Sequence, residues 1–250
     1  MFEGKIVAVT GGAGGIGARI CDLLRAEGAE TLVLDRVQPA AAGRYQPADL
    51  GSQAGIEAAA AALADQPCDV LINLAGIQYF GPFATQTPEQ LYAGYMVNLI
   101  APVRLSQAVL PAMTRRGSGQ IVNIGSVFGS INFAHFVSYS SAKAGLRGFS
   151  QALRREVAGT GVDVTYVAPR AVRTPLNTGM VMKFAALTGM AMDDPDLVAA
   201  RIVTAVRKRE CEVFIGFPES LFVRLNALAP RLIDAALAAN DRKARALFPV

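Results

Sequence analysis

The stretch that most constrains this chain is its start, where the apolar run Lys5-Ile-Val-Ala-Val-Thr10 leads directly into Gly11-Gly-Ala-Gly-Gly-Ile-Gly17. Beyond the glycines, Ile20, Leu23 and Leu24 fall on one helical face, so the local order is strand, glycine loop, helix. Glycines let a backbone turn tightly and approach a pyrophosphate, whose charge then meets the N–H groups and positive dipole end of the helix. The loop also fits Gly-x-Gly-x-x-Gly through Gly12, Gly14 and Gly17, a match that carries little alone. The next apolar run adds the missing part. Thr31-Leu-Val-Leu-Asp35 ends in a carboxylate about 18 residues past the last glycine, close to the spacing at which an acid accepts ribose hydroxyls of a dinucleotide.

Charge at that position bears on which dinucleotide is bound. Asp35 repels a 2′-phosphate and the glycine loop carries no Lys or Arg to attract one, so NAD is favoured over NADP. Arg36, the next residue, has two readings: it reaches a 2′-phosphate, or it is a solvated charge at the strand end.

A second constellation lies in the middle of the chain. Ile121-Val-Asn-Ile-Gly-Ser126 places a hydroxyl at the mouth of an apolar, β-branched strand, and Ser138-Tyr139-Ser140-Ser141-Ala142-Lys143 follows with helical spacing. A phenol and an ammonium at i and i+4 share one helix face. A phenol is a poor acid or base at neutral pH, but a fixed cation stabilises its phenolate and draws its pKa toward the working range. Tyr139 therefore reads as an acid/base and Ser126 as the partner of the same substrate oxygen, which is alcohol–carbonyl chemistry. Taken alone, a Tyr-x-x-x-Lys pair is more often a solvated helix face.

In order and spacing, Thr10-Gly11-x-x-x-Gly15-x-Gly17, Asn73-Leu-Ala-Gly76, Asn98, Ser126 and Tyr139-x-x-x-Lys143 resemble the short-chain dehydrogenase/reductase family over almost the whole chain. The resemblance implies a catalytic set of Asn98, Ser126, Tyr139 and Lys143. It also implies cofactor contacts from Thr10, Gly11, Gly15, Ile16, Gly17, Asp35, Arg36, Asn73, Ala75 and Gly76, with Asp49 and the Leu50 backbone against the adenine. Lys143 would hold the nicotinamide ribose beside Tyr139, and Asn98 a water of the proton path. Pro169, the Val172 backbone and Thr174 would hold the nicotinamide end. Two positions depart from the pattern: Leu74 stands where a second Asn is usual, and Arg170 replaces the glycine after Pro169.

The resemblance implies a Rossmann fold, a doubly wound parallel sheet with helices on both faces. With 250 residues, 52% of them hydrophobic, a single domain over 1–250 is expected. Segment 174–195, with Leu176, Met180, Met182, Phe184, Leu187, Met190 and Met192, is expected to lid a hydrophobic substrate or to pack as a structural helix. Residues 217–250 form a C-terminal extension, with two amphipathic helices broken at Pro230. A lid or subunit contact is favoured there over a membrane surface, because Arg224 and Arg231 are the only cations of the stretch to Leu237.

One histidine and three scattered cysteines, Cys21, Cys68 and Cys211, offer no metal or disulfide spacing, and no metal is expected. His135, four residues before Tyr139, is left as a passive pocket or surface residue. The start lacks a secretory pattern, so a cytoplasmic protein is expected. A dispersed net charge of +4 argues against a nucleic-acid partner, and no apolar run is read as long enough to span a membrane. A homodimer or homotetramer is expected from the resemblance. The function expected is hydride transfer between NAD(H) and a hydrophobic secondary alcohol or ketone. A 3-oxoacyl, lipid-like carbonyl reductase using NADPH and a non-catalytic nicotinamide-binding regulator are the rivals.

Overall fold

The computed structural model describes residues 2–41, 43–177 and 179–248. Met1, Ala42, Thr178, Pro249 and Val250 lie outside the described residues, so the expected lid is described except at Thr178 and the C-terminal extension except at its last two positions.

Strands β1 (Ile6–Thr10), β2 (Glu30–Asp35), β3 (Arg44–Pro47), β4 (Val70–Asn73), β5 (Gly119–Ile124), β6 (Val162–Pro169) and β7 (Glu212–Ile215) form one sheet in the order β3-β2-β1-β4-β5-β6-β7. Every neighbouring pair is parallel, with Val9 opposite Val33 and Ile72 in register between them and β5. Parallel strands buried on both faces need apolar residues at both parities. Val7, Val9, Val33, Ile72, Val122 and Val167 face one layer, while Ala8, Leu32, Leu34, Leu71, Ile121 and Val164 face the other.

Helix α1 (Gly15–Ala26) covers the first face, joined by Pro195–Arg207. Helix α2 (Gln53–Ala64) covers the second with the long run Pro88–Arg116 and with Val137–Glu156. That run consists of α3 (Pro88–Tyr95), a π-helical turn (Met96–Ile100) and α4 (Ala101–Arg116). The Val137–Glu156 helix is α5, Gly179–Thr188 is α6 and Pro195–Arg207 is α7; α8 (Glu219–Leu228) and α9 (Pro230–Arg245) end the chain. The doubly wound parallel sheet is as expected.

One expectation needs correction. Pro88–Arg116 forms a continuous helix of 29 residues, an 18-residue window of which has a mean hydropathy of 1.2, which by length and composition is enough to cross a membrane. Its apolarity has another use, since Leu105, Val109 and Met113 pack on the sheet as core.

The strand order reverses between β1 and β4, the point at which an open parallel sheet leaves a crevice beyond its carboxyl ends. Glycine is required where the loop after β1 closes on itself. A Cβ at Gly17 would lie 2.1 Å from the Gly11 carbonyl oxygen, whereas one at Gly14 meets nothing within 4 Å. Gly17→Ala is therefore expected to cost about 1–3 kcal/mol of stability through overpacking, and Gly14→Ala about 0.5 kcal/mol or less, both read from denaturant midpoints.

Candidate active site

The crevice is a cavity of about 610 Å³. One end is the glycine loop, with Gly11, Gly15, Ile16 and Gly17 in its wall beside Asp35 and Arg36. Gly14 caps α1 with no side-chain hydrogen bond, so the first amides of the helix are left to whatever fills the cavity. Gly11 has φ +70° and packs so tightly that a Cβ would stand 2.9 Å from Ala75 Cα. A bare backbone cradle at a helix N-terminus, with a carboxylate at the next strand end, fits a nicotinamide dinucleotide. Asp35 is held in place by two amides: Ala13 N–H donates to its Oδ2 at 3.0 Å and Val37 N–H to its Oδ1 at 3.2 Å.

At the other end, Ser126 follows β5, and Tyr139 from the first turn of α5 and Lys143 from the second project into the same wall. All three are buried. Lys143 Nζ donates to the Ile124 carbonyl at 2.9 Å and lies 5.9 Å from the centre of the Tyr139 ring. Burial pushes the Tyr139 phenol up to about 12, and the Ser126 hydroxyl offsets part of that. Burial likewise brings the Lys143 ammonium down to about 8. The expected lowering by the Lys143 charge is not seen: desolvation is the larger cause, and Lys143 is not among the groups that move the phenol. The phenol is thus held in its neutral form.

Asn98 sits in the π-helical turn, a distortion that interrupts the regular ladder. Its Nδ2 donates to the carbonyls of Ile77 at 2.7 Å and Gly94 at 2.8 Å, and its Oδ1 accepts from Ile77 N–H at 3.3 Å. Gly76 separates it from Lys143: a Cβ there would stand 3.2 Å from Asn98 Oδ1 and 3.8 Å from Lys143 Nζ. Asn98 faces a second, smaller cavity of about 330 Å³ that shares Gln78 and Tyr139 with the first.

Ala75, Gly76, Pro169, Val172 and Thr174 complete the main wall. Four expected cofactor residues do not line it. Thr10 is buried and its Oγ1 accepts from Leu74 N–H at 3.0 Å and Ala75 N–H at 3.1 Å. Asn73 turns under the sheet to Asn123 Oδ1, Ser106 Oγ and the Pro102 carbonyl. Asp49 is exposed and accepts from Gly51 N–H, while Leu50 is packed in the core below α2.

Arg170 does not crowd the cavity floor in the way its replacement of a glycine suggests. Its guanidinium turns to Asp193 at 2.7 Å and Glu219 at 3.0 Å and donates to the Phe217 carbonyl at 3.1 Å. Gly216, at φ +110°, makes room for the side-chain stem. His135 has φ 65° and packs against Phe80 and Phe248, away from the cavity wall, with its imidazole held below its usual range by burial.

Phe128, Phe136 and Val181 in the wall were not named from the sequence, whereas Met190 was expected there as part of segment 174–195. Phe128, Phe136, Val181 and Met190 make an apolar lobe beside Tyr139. The phenylalanines between Ser126 and Tyr139 and the Met-rich segment 174–195 were its signals. Gln78 donates to the Leu176 carbonyl at 2.8 Å and Asn177 Oδ1 at 3.0 Å, fastening the loop after β4 to the lid. Within the lid, Leu176 and Met190 line the cavity, but Met182 and Leu187 point to solvent.

The family profile described as short chain dehydrogenase matches residues 5–183. The ketoacyl reductase HetN of Nostoc sp. is 34% identical, covering 93% of this chain and 88% of its own. The 3-oxoacyl-[acyl-carrier-protein] reductase FabG of Vibrio cholerae is 30% identical over 89% of this chain and 93% of its own. Among solved structures, a short-chain dehydrogenase from Sphingobium yanoikuyae in complex with NADPH superposes with a TM-score of 0.77 at 25% identity, covering 92% of this chain and 95% of that one.

An ammonium buried with a single carbonyl acceptor costs stability whenever it is charged. The folded-state pKa of Lys143 lies below its unfolded value, so the unfolded chain binds the extra proton between the two. Stability from this group accordingly rises with pH from about 8 toward the ordinary lysine range. Lys143→Met is expected to stabilise the fold at neutral pH by on the order of 2 kcal/mol and to flatten that rise, as measured by chemical unfolding across pH.

Proposed function

The chain belongs to the short-chain dehydrogenase family, and from that premise we propose that it interconverts a hydrophobic ketone and its secondary alcohol at the Tyr139 site. The observation that carries this reading is the neutral, buried phenol standing between the glycine-loop crevice and an apolar lobe. Hydride transfer is the chemistry that a bound nicotinamide supplies. In reduction Tyr139 gives its hydroxyl proton to the substrate oxygen, and in oxidation it takes the proton back. Ser126 shares that oxygen and fixes the carbonyl carbon toward the crevice. Lys143 holds the ribose and stabilises the phenolate as it forms, and Asn98 orders the route by which the proton is restored. Gly11, Gly15, Ile16 and Gly17 hold the pyrophosphate, Asp35 the adenine ribose, and Pro169, Val172 and Thr174 the nicotinamide end. Phe128, Phe136, Val181 and Met190 exclude water and select an apolar substituent.

Asp35 in the wall supports NAD as the dinucleotide. A second reading has its own observations. Arg36 lines the same cavity beside Asp35, the Sphingobium relative was solved with NADPH, and two relatives are named as ketoacyl reductases. In that reading the substrate is a 3-oxoacyl compound.

The test is a turnover screen on hydrophobic ketones and alcohols of graded chain length with NAD(H) and NADP(H), run beside Tyr139→Phe. We expect activity that grows with apolarity, is greater with NAD(H), and falls by roughly three orders of magnitude or more in Tyr139→Phe while cofactor affinity stays within about twofold. A mutant with wild-type turnover contradicts the mechanism. Cofactor binding with no turnover on any substrate points to the non-catalytic regulator.

A further inference from the structure

Helices α8 and α9 have two apolar sides. Inward, Val223 and Ile233 join the cluster of Phe128, Phe136 and Tyr139, so the hairpin is the outer wall of the apolar lobe. Outward, Phe217, Leu221, Phe222, Leu225, Leu228 and Leu232 are exposed, Phe217 by 76% and Leu228 by 84%. Leu221, Leu225 and Leu228 fall on one face of α8 at i, i+4 and i+7, and Leu232 is exposed in the first turn of α9. A solvated helix carries charge on its outer face; α8 has leucine there, with Arg224 at the side. Contiguous apolar area of this kind marks a surface that something covers.

The charges indicate what covers it. Arg224, Arg231, Arg242, Lys243 and Arg245 stand on the hairpin, and among the described residues none of them lies within 4.0 Å of a carboxylate. The cations of the sheet and its helices are largely paired, as with Arg104 to Glu57, Arg147 to Glu212 and Arg201 to Glu210. Reading the extension only to Leu237 counted two cations; α9 runs on to Arg245 and adds three. The hairpin's acids are few: Glu219 is taken by Arg170, which leaves Asp234 and Asp241. A second copy on the same face would set arginine against arginine with little carboxylate to meet it. Lys243 donates to the Leu187 carbonyl at 3.0 Å and Arg245 stands by His135, so the cations left to the outer strip are chiefly Arg224 and Arg231. An apolar strip with cations free of carboxylate partners suits negatively charged headgroups above acyl chains.

We propose that the outer face of the α8–α9 hairpin docks this protein peripherally on an anionic lipid bilayer surface. The docked strip then lies on the other side of the wall from the apolar lobe. The inference goes beyond the proposed reaction and does not depend on it.

The experiment is co-sedimentation of the full chain with vesicles of phosphatidylcholine alone and of phosphatidylcholine with phosphatidylglycerol, across ionic strength. Size exclusion with light scattering accompanies it. We expect binding to the anionic vesicles that weakens as salt rises, and little binding to the neutral ones. The double variant Leu225→Glu, Leu228→Glu should bind roughly tenfold or more weakly. Arg224→Gln with Arg231→Gln, which changes no packed residue, should also lose roughly tenfold and much of the salt dependence, and keeps the test valid if the glutamates disturb folding. Wild-type protein that stays in the supernatant with anionic vesicles overturns the proposal. So does a dimer that the leucine variants dissociate, since a second copy then covers the face.

Discussion

Two hydrogen bonds to one hydroxyl hold the crevice together. Thr10, the last residue of β1, accepts from the amides of Leu74 and Ala75, the first residues beyond β4. The strand order reverses between these two strands. With β1 and β4 tied there, Gly11 closes on Ala75 and Gly76 is set between Asn98 and Lys143. The glycine cradle and the polar end of the site thus share a fixed origin at the carboxyl edge of the sheet, where a parallel architecture leaves its ligand cleft.

From that origin the chemistry is set by burial as much as by charge. The phenol of Tyr139 and the ammonium of Lys143 are both desolvated, one raised to about 12 and the other lowered to about 8. Each shift opposes the charged form, so the pair rests as a neutral phenol beside a readily neutralised amine. Such a site is costly to the fold, since the ammonium has the Ile124 carbonyl as its acceptor. Groups placed against stability in a cleft are a mark of function. Segment 174–195 and the C-terminal hairpin border the cleft, tied to the sheet through Gln78 on one side and Arg170 on the other.

Local periodicity and spacing made much of this legible. The strand of Ile6–Thr10, the glycine loop, Asp35 and the helix carrying Tyr139 and Lys143 are each written within a few consecutive residues, and the structure builds each from those residues. What escaped the sequence depends on partners far apart in the chain. Arg170 looked like an intrusion because its partners, Asp193 and Glu219, arrive from later elements. Asn73 looked like a wall residue, but its amide is used by Asn123 and Ser106 beneath the sheet. The direction of the Tyr139 shift was misjudged because i and i+4 spacing reports the nearby cation and says nothing of desolvation. The long apolar helix from Pro88 was underrated as a run because Asn98 and Arg104 interrupt its apolar sequence, while the chain stays helical through the π-turn Met96–Ile100.

The central claim is that a carbonyl carbon receives hydride in this crevice while Tyr139 supplies the proton. The most direct measurement is the fate of the label when a hydrophobic ketone is reduced with nicotinamide deuterated at the transferring position. The account predicts one deuterium at the carbinol carbon of the alcohol by mass spectrometry, in a single stereochemical configuration, and a slowed rate in the labelled reaction. Product alcohol without the label, or labelled product formed equally fast by the Tyr139→Phe protein, would contradict it.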